Sequence, residues 1–394
     1  MGMKRGTYRT GRERVERILD AAHELFVDPG YRATSLRAIA SASGISHPAL
    51  LRHFSSKAEI LTALVDRLDR QYLESVTDGP DGGFRPRPAA ETARRNEATP
   101  GWIPLFTTLL GEATSPEHPG RALMRDRRRE AIAIGVRTYG ALGADERSAK
   151  LAVQRLVAAW EGLQILSLYF PGRIDIPARI AAHEDDVRIN GIAPAPPARP
   201  GASTAAHAPA ADPAPERTPR ERALYSACVL YARHGYSGTS MQAVADDAGL
   251  TKAALVHLAP TKAALLDLVL AYLATPAPDW NGPGGRLRAA LDRPRWQAAA
   301  EIVLMCEAIA PSHPAHRSMA ELLEEGLSGV EEALRATGGA SDAEAEAAAQ
   351  WIVALVLGAV IASLYEPEDV EPAALVESAL PPRAPACAPA ALAR

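Results

Sequence analysis

Between residues 34 and 57 the chain gathers small hydroxyls, cations and imidazoles, with one alanine among them: Thr34, Ser35, Arg37, Ser46, His47, Ala49, Arg52, His53 and Lys57. Groups of this kind, at these short intervals, reach phosphate oxygens and base edges, which is binding chemistry rather than bond-making. The sequence offers no nucleophile in a glycine elbow, no phosphate-cradling glycine loop and no metal-spaced His/Cys set. It therefore predicts no enzyme and no cofactor. HEDD, residues 183 to 186, holds ligand-type side chains but is expected to form a polar helix face.

These side chains need a scaffold, and the surrounding periodicity supplies one. Val15, Ile18, Leu19, Ala22, Leu25 and Phe26 recur at helical spacing and stop at Pro29-Gly30. Thr34 or Ser35 caps a short second helix whose Leu36, Ile39 and Ala40 face inward. Gly44 suits the left-handed position after a helix end, Ser46 caps a third helix, and Pro48 is tolerated in its first turn. Phe54 is expected to be core beneath that helix, and a fourth helix from near Ser56 carries Ile60, Leu61, Leu64, Val65 and Leu68. Two short helices joined by a tight glycine turn and buttressed on each side form a helix-turn-helix unit, with the third helix as the reader.

The chain writes this unit twice. Adding 205 aligns Leu19 with Leu224, Gly30-Tyr31 with Gly235-Tyr236, Thr34-Ser35 with Thr239-Ser240, Gly44 with Gly249 and Lys57 with Lys262. Further on, EATSPEHP (112–119) meets EAIAPSHP (307–314), and SLYFP (167–171) meets SLYEP (363–367). The expected organisation is a head at 11–72, a helical body at 73–190, an Ala/Pro tether at 191–215, a second head at 216–275, a second body at 276–380 and a tail at 381–394. The second head keeps Thr251, Lys252, His257 and Lys262, but Phe54 becomes Ala259, His53 becomes Leu258, and Ser41-Ala42 become Asp246-Asp247. Its surplus of positive charge is one, six Lys/Arg against five Asp/Glu over 216–275, while residues 1–70 carry twelve against eight. A weaker or retuned second reader is expected, on an asymmetric DNA site.

Composition agrees with an all-α fold. Aromatics make up 5% of the 394 residues while Ala and Leu abound, which suits packed helices better than strands. Cys228, Cys306 and Cys387 form no disulfide or zinc pattern, and the basic N-terminus leads into no apolar leader, so the cytoplasm is the expected location. The apolar run 347–365 is long enough to span a membrane. Its counterpart at 151–170 carries Arg155 and Glu161, so burial between helices is the better account of both, and no membrane partner is expected. Ala158, Ala159 and Gly162, with Ala354, Gly358, Ala359 and Ala362, line these helices with small side chains that permit close approach, either between the halves or within each.

Through ILDAAHELF, GYRATSLRAIA, SGISHPALLRHF and SKAEIL, and again through LYSACVLYARHGYSGTSMQAVADDAGLTKAALVHL, the chain resembles the TetR family of bacterial transcription regulators. The resemblance implies, in each half, a helix-turn-helix head on a helical ligand-binding and dimerisation body, pairing through the last two helices, and DNA binding released by a small molecule. With two such halves in one chain it implies a ligand-responsive repressor acting as an internal pseudo-dimer on double-stranded DNA. Trp102, Phe106, Met124, Trp160, Met305 and Trp351 are candidates to line a pocket for an apolar effector, and RDRRRE (125–130) is expected to be a solvated helix face. A small-molecule-binding or interaction protein that keeps the scaffold without reading DNA is the alternative, and two chains pairing through their first heads a third arrangement. His47 stands where the family often has a lysine. A phosphate contact made by this ring strengthens when the imidazole is protonated, so DNA retention by the intact chain should strengthen as pH falls at constant ionic strength. The His47→Gln variant should lose that trend; an unchanged pH profile removes His47 from the phosphate contacts.

Overall fold

Each head begins with a long helix broken by glycine. The structure, a computed structural model, describes residues 4–73, 88–195, 218–274, 289–336 and 341–377. Helix α1 (Lys4–Leu25) starts seven residues before the expected boundary and runs into a wide turn at Phe26–Gly30. Helices α2 (Leu36–Ala42), α3 (His47–Leu50) and α4 (Lys57–Leu73) complete the first head. The first body comprises α5 (Ala89–Ala98), α6 (Trp102–Glu112), α7 (Arg121–Ala141), α8 (Glu146–Tyr169) and α9 (Ile176–Asn190).

The second half repeats the plan. Its head is α10 (Pro219–Gly238, kinked at Gly235), α11 (Met241–Asp247), α12 (Lys252–Leu258) and α13 (Lys262–Leu273). Its body holds α14 (Arg295–Glu307), α15 (His316–Ala336), α16 (Asp342–Tyr365) and the short α17 (Pro372–Val376). The fold is all-α, with no strand among the described residues. Residues 196–215 of the expected tether, and the tail at 381–394 with Cys387, lie outside the described residues.

Helices α8 and α16, related by a shift of 196 at both ends, pack directly on each other. A Cβ added to Gly162 would lie 2.0 Å from the Ala354 carbonyl oxygen, and one added to Gly358 would lie 1.8 Å from that of Ala158. Both contacts are backbone against backbone, and the register shift of 196 turns one into the other. Two hydroxyls repeat the reciprocity: Tyr169 donates to the Met305 carbonyl at 2.7 Å, and Tyr365 donates to the Leu110 carbonyl at 2.9 Å. This packing absorbs the apolar run of α16, whose most apolar window is 72% buried.

Two expectations are corrected here. RDRRRE is only in part a solvated face: Asp126, Arg129 and Glu130 are exposed, but Arg128 is buried against Glu161 (Nε to Oε1 3.0 Å), and Arg129 pairs with Glu366 of the other half. Burial holds Arg127, whose guanidinium lies 4.6 Å from the Phe106 ring, down to about 10 and pushes Glu161 up to about 7 against the pull of Arg128. An amphipathic stem lets arginine serve as packing, and two of the four arginines here do so. HEDD is likewise only half exposed. His183 stacks on Trp351 of the other half at 4.8 Å, and Glu184 accepts the Ala89 and Ala90 amides at the start of α5.

The close approach yields a contrast between glycines. Gly358→Val should cost at least about 3 kcal/mol, the upper range for overpacking, because both atoms that must separate are backbone. Gly329→Ala, in α15 with nothing within 4 Å of the added methyl, should gain up to about 1 kcal/mol. Denaturant unfolding of the intact chain measures both.

Candidate nucleic-acid interface

Ser35 caps α2 by accepting the Ala38 amide at 3.1 Å, and Ser46 caps α3 by accepting the Ala49 amide at 3.3 Å. Between them Gly44 turns the chain at φ +70°, a conformation open to glycine at little cost. This arrangement leaves Ser35, Arg37, Ser46 and Arg52 exposed and His47, Ala49 and His53 half-buried on one end of the head. Phe54 is buried behind α3, as core. In the second head Thr251 caps α12, and Thr251, Lys252 and His257 are exposed. Asp246 and Asp247 are exposed as well, with Asp246 accepting from the Gln242 amide at 2.7 Å. Ala259 is fully buried, so the second head has closed over the volume that Phe54 fills in the first, with α12 running to Leu258 where α3 ends at Leu50.

Three residues of the expected set turn inward. Thr34 is buried, and its hydroxyl hydrogen-bonds the Leu25 and Gly30 carbonyls, both at 2.7 Å, so it closes the turn after α1 and faces no phosphate. Thr239 repeats this on Gly235 and Leu230. The Lys57 ammonium donates to the carbonyls of Tyr31 (2.6 Å), Thr34 (2.7 Å) and Arg32 (3.3 Å) and lies 4.3 Å from the Tyr31 ring centroid. Lys262 lies 4.3 Å from the Tyr236 ring and donates to Ser237 at 3.3 Å. These lysines hold the loop that aims the second and third helices. A phosphate would have to compete with carbonyls for each of them.

The same loops rest on the bodies through a repeated carboxylate. Glu307, at the end of α14, accepts the Tyr236 and Ser237 amides at 2.6 and 2.8 Å, and a Cβ on Gly235 (φ +69°) would stand 2.7 Å from its oxygen. Glu112, at the end of α6, lies against Gly30 in the same way, with its oxygen 3.0 Å from a Cβ there and His118 Nε2 3.3 Å from its other oxygen. His118 and His313 each accept a backbone amide at Nδ1, both at 3.1 Å, which leaves Nε2 as the protonated nitrogen facing the acid. Burial, reinforced by Glu112, pushes the Tyr31 hydroxyl up to about 12; burial also lowers Lys57 and Lys262, against the pull of Glu112 and Glu307 respectively.

Comparison with known proteins fits this geometry. The family model described as bacterial regulatory proteins, tetR family, matches residues 18–64 and 224–269, the two heads. An uncharacterized HTH-type transcriptional regulator of Mycobacterium tuberculosis is 30% identical over 188 residues, which is 44% of this chain and 84% of that protein. The chain belongs to the TetR family. Two matches to the family model in one chain make it a tandem duplication. The HTH-type transcriptional activator FasR of Mycolicibacterium smegmatis is 42% identical over 84 residues (20% of this chain, 38% of that protein). The HTH-type transcriptional repressor KstR2 of Rhodococcus jostii is 43% identical over 126 residues (31% and 53%). The chain thus spans about two fifths to a half of the length of these two relatives.

Of the six pocket candidates, Met305 lines a cavity of about 60 Å³ in the second half, together with Ala274, Leu323, Val353, Val356 and Leu357. Trp102 and Phe106 stack on each other at 4.2 Å under Arg127, Met124 is buried, Trp160 is half-buried and Trp351 stacks on His183. Met305 alone of the six is among the residues that line that cavity. Sequence reading also passes over Leu51 and Val256, which are exposed on or directly after the reading helices while their neighbours Leu50 and Leu255 are fully buried. Residue type alone does not separate those pairs.

The two lysines make unequal contacts, and their removal should show it. Lys57→Met should destabilise the first head by about 2 kcal/mol, the worth of a charge-assisted hydrogen bond, whereas Lys262→Met should cost under about 1 kcal/mol. Hydrogen exchange in the 31–35 and 236–240 loops of the full chain resolves the two heads. Equal losses would mean that the carbonyl contacts do not set loop stability.

Proposed function

We propose that the chain is a ligand-responsive transcriptional repressor in which the two halves act as a single-chain pseudo-dimer on an asymmetric DNA site. The observation that carries this reading is the reciprocal α8–α16 contact through Gly162 and Gly358, which ties two heads into one packed body. In a pairing of this type the body fixes the separation of two reading helices, and operator spacing follows from it. Ser35, Arg37, Ser46, His47, Ala49, Arg52 and His53 are assigned to the DNA contact of the first head, and Thr251, Lys252 and His257 to that of the second. Thr34, Lys57 and Lys262 position these groups. The second head contributes less, because exposed Asp246 and Asp247 stand just before its glycine turn and repel phosphate. The chain works in the cytoplasm, without a cofactor.

Ligand response rests on the cavity at Met305. Its wall includes Ala274, directly after α13 of the second head, and Met305 stands two residues before Glu307, which holds the backbone of that head. An apolar effector wedged there would widen the cavity and displace α13 or the end of α14. Either movement shifts the second reading helix relative to the first. Repression follows from DNA occupancy and its release by the effector.

The test is the mass of the complex on duplex DNA from the chain's own upstream region. One chain per duplex is the expected result, with affinity falling steeply between about 50 and 200 mM salt as counterions return to the phosphates. Arg52→Ala should weaken binding at least about tenfold, as loss of a base or phosphate contact does. Two chains per duplex would replace the pseudo-dimer by pairing of first heads. No binding at low salt would leave a scaffold protein that does not read DNA.

A further inference from the structure

Four large apolar side chains are exposed among the described residues: Leu51 (43%), Val256 (39%), Leu142 (65%) and Ile189 (72%). Single exposed apolar residues are ordinary on a protein surface. Leu51 and Val256 are not independent of each other, because the shift of 205 that relates the two heads turns one into the other. Val256 stands on α12, and Leu51 is the residue that directly follows α3. The Leu51 amide bonds the His47 carbonyl at 3.1 Å, so the helical turn continues through it and Leu51 lies one turn above His47. Val256 lies one turn above Lys252 in α12. Each apolar side chain thus shares a face with the group that begins its reading helix, while Leu50 and Leu255 point into the core.

We infer that Leu51 and Val256 are specificity residues that read the 5-methyl group of thymine. This rests on the proposal that the heads bind DNA. Base edges in the major groove offer hydrogen-bond donors and acceptors with one exception, the thymine methyl, and an apolar side chain can lose its water favourably only there. A cytosine at the same position presents an amino group, which an aliphatic chain leaves without a partner. The side chains also differ in reach. Leucine extends one carbon further and rotates more freely than β-branched valine. The first head therefore selects its thymine more strongly than the second, a source of operator asymmetry separate from the charge at Asp246 and Asp247.

The experiment uses the full-length chain and a duplex pool with a randomised core. Wild-type protein should enrich a thymine at a defined position in each half-site, and Leu51→Ala should lose that preference in one half-site while keeping it in the other; Val256→Ala should do the converse. Leu51 is exposed, so its truncation should leave the thermal unfolding midpoint unchanged. The best duplex is then made with deoxyuridine at the Leu51 thymine, which deletes only the methyl. Wild-type affinity should fall roughly fourfold, the worth of one buried methyl group, and that of Leu51→Ala less than about twofold. Indifference of the wild type to deoxyuridine, or an equal penalty for both proteins, overturns the assignment, and the wild-type arm is informative even if the variant folds poorly. If the wild type enriches no sequence at all, DNA reading itself fails, and this inference fails with it.

Discussion

The closest constraint in the molecule is the crossing of α8 and α16, where the Cα atoms of Gly162 and Gly358 face carbonyls with no room for a methyl group. Packed helices ordinarily keep their axes 8–10 Å apart because side chains fill the gap. Here backbones touch, and the two helices behave as one element. Tyr169 and Tyr365 extend the lock by reaching α14 and α6 of the opposite half. Because α6 and α14 also carry Glu112 and Glu307, the element that joins the halves is one step from the elements that hold the heads.

That step explains why the sequence spends charged residues where no ligand is needed. The loop after α1 has carbonyls that Lys57 collects, and its counterpart beyond the Gly235 kink of α10 has amides that Glu307 collects. Unpaired buried backbone groups are costly, so these side chains are structural before they are anything else. The two joints nevertheless differ. The first loop is held by a cation of its own head, which meets three carbonyls, and the second chiefly by an acid of its body, which meets two amides. The end of α6 grips its head through the Arg32 guanidinium, which donates to the Glu112 carbonyl at 3.2 Å, whereas the end of α14 grips its head through the Glu307 carboxylate itself.

Much of this was legible in the letters. The shift of 205 announced two heads, the cap at Ser46 followed from its type and place while that of α2 stayed open between Thr34 and Ser35, and the small residues of α8 and α16 marked a close contact. What failed was the sorting of charged residues into solvent and interior. Arg127, Arg128 and Arg129 look alike in sequence, yet the first stacks on Phe106, the second meets Glu161 and the third crosses to Glu366. Lys57 beside a head surface was read as a phosphate ligand because nothing local reveals that three carbonyls converge on it. Long side chains reach residues distant in sequence, and periodicity carries no information about them. Leu51 and Val256 were missed for the opposite reason: an apolar residue in a helix is assigned to the core by default.

Duplication within one chain also frees the contact from self-complementarity. In a dimer of identical subunits, residue i meets j and j meets i, so each pair occurs twice with the same chemistry. Here the shift of 195 relates Arg129 to Glu324, and the shift of 196 relates Arg173 to Asp369. On one side of the contact Arg173 binds Glu324 at 2.6 Å, with Glu346 at 3.1 Å and Glu331 at 3.3 Å. On the other, Arg129 pairs with Glu366 beside Asp369. The polarity is inverted: the loop brings the cation in one case and the acid in the other. Two first halves set in this arrangement would oppose Arg129 to Arg173, and two second halves Glu324 to Asp369. Like charges at such sites disfavour the symmetric pairings and leave the unlike one, which is how a charge pattern selects a partner. The glycines permit any of the three pairings to approach closely. It is the inverted ion pairs that give the contact a preference, and no pair of identical halves can display them.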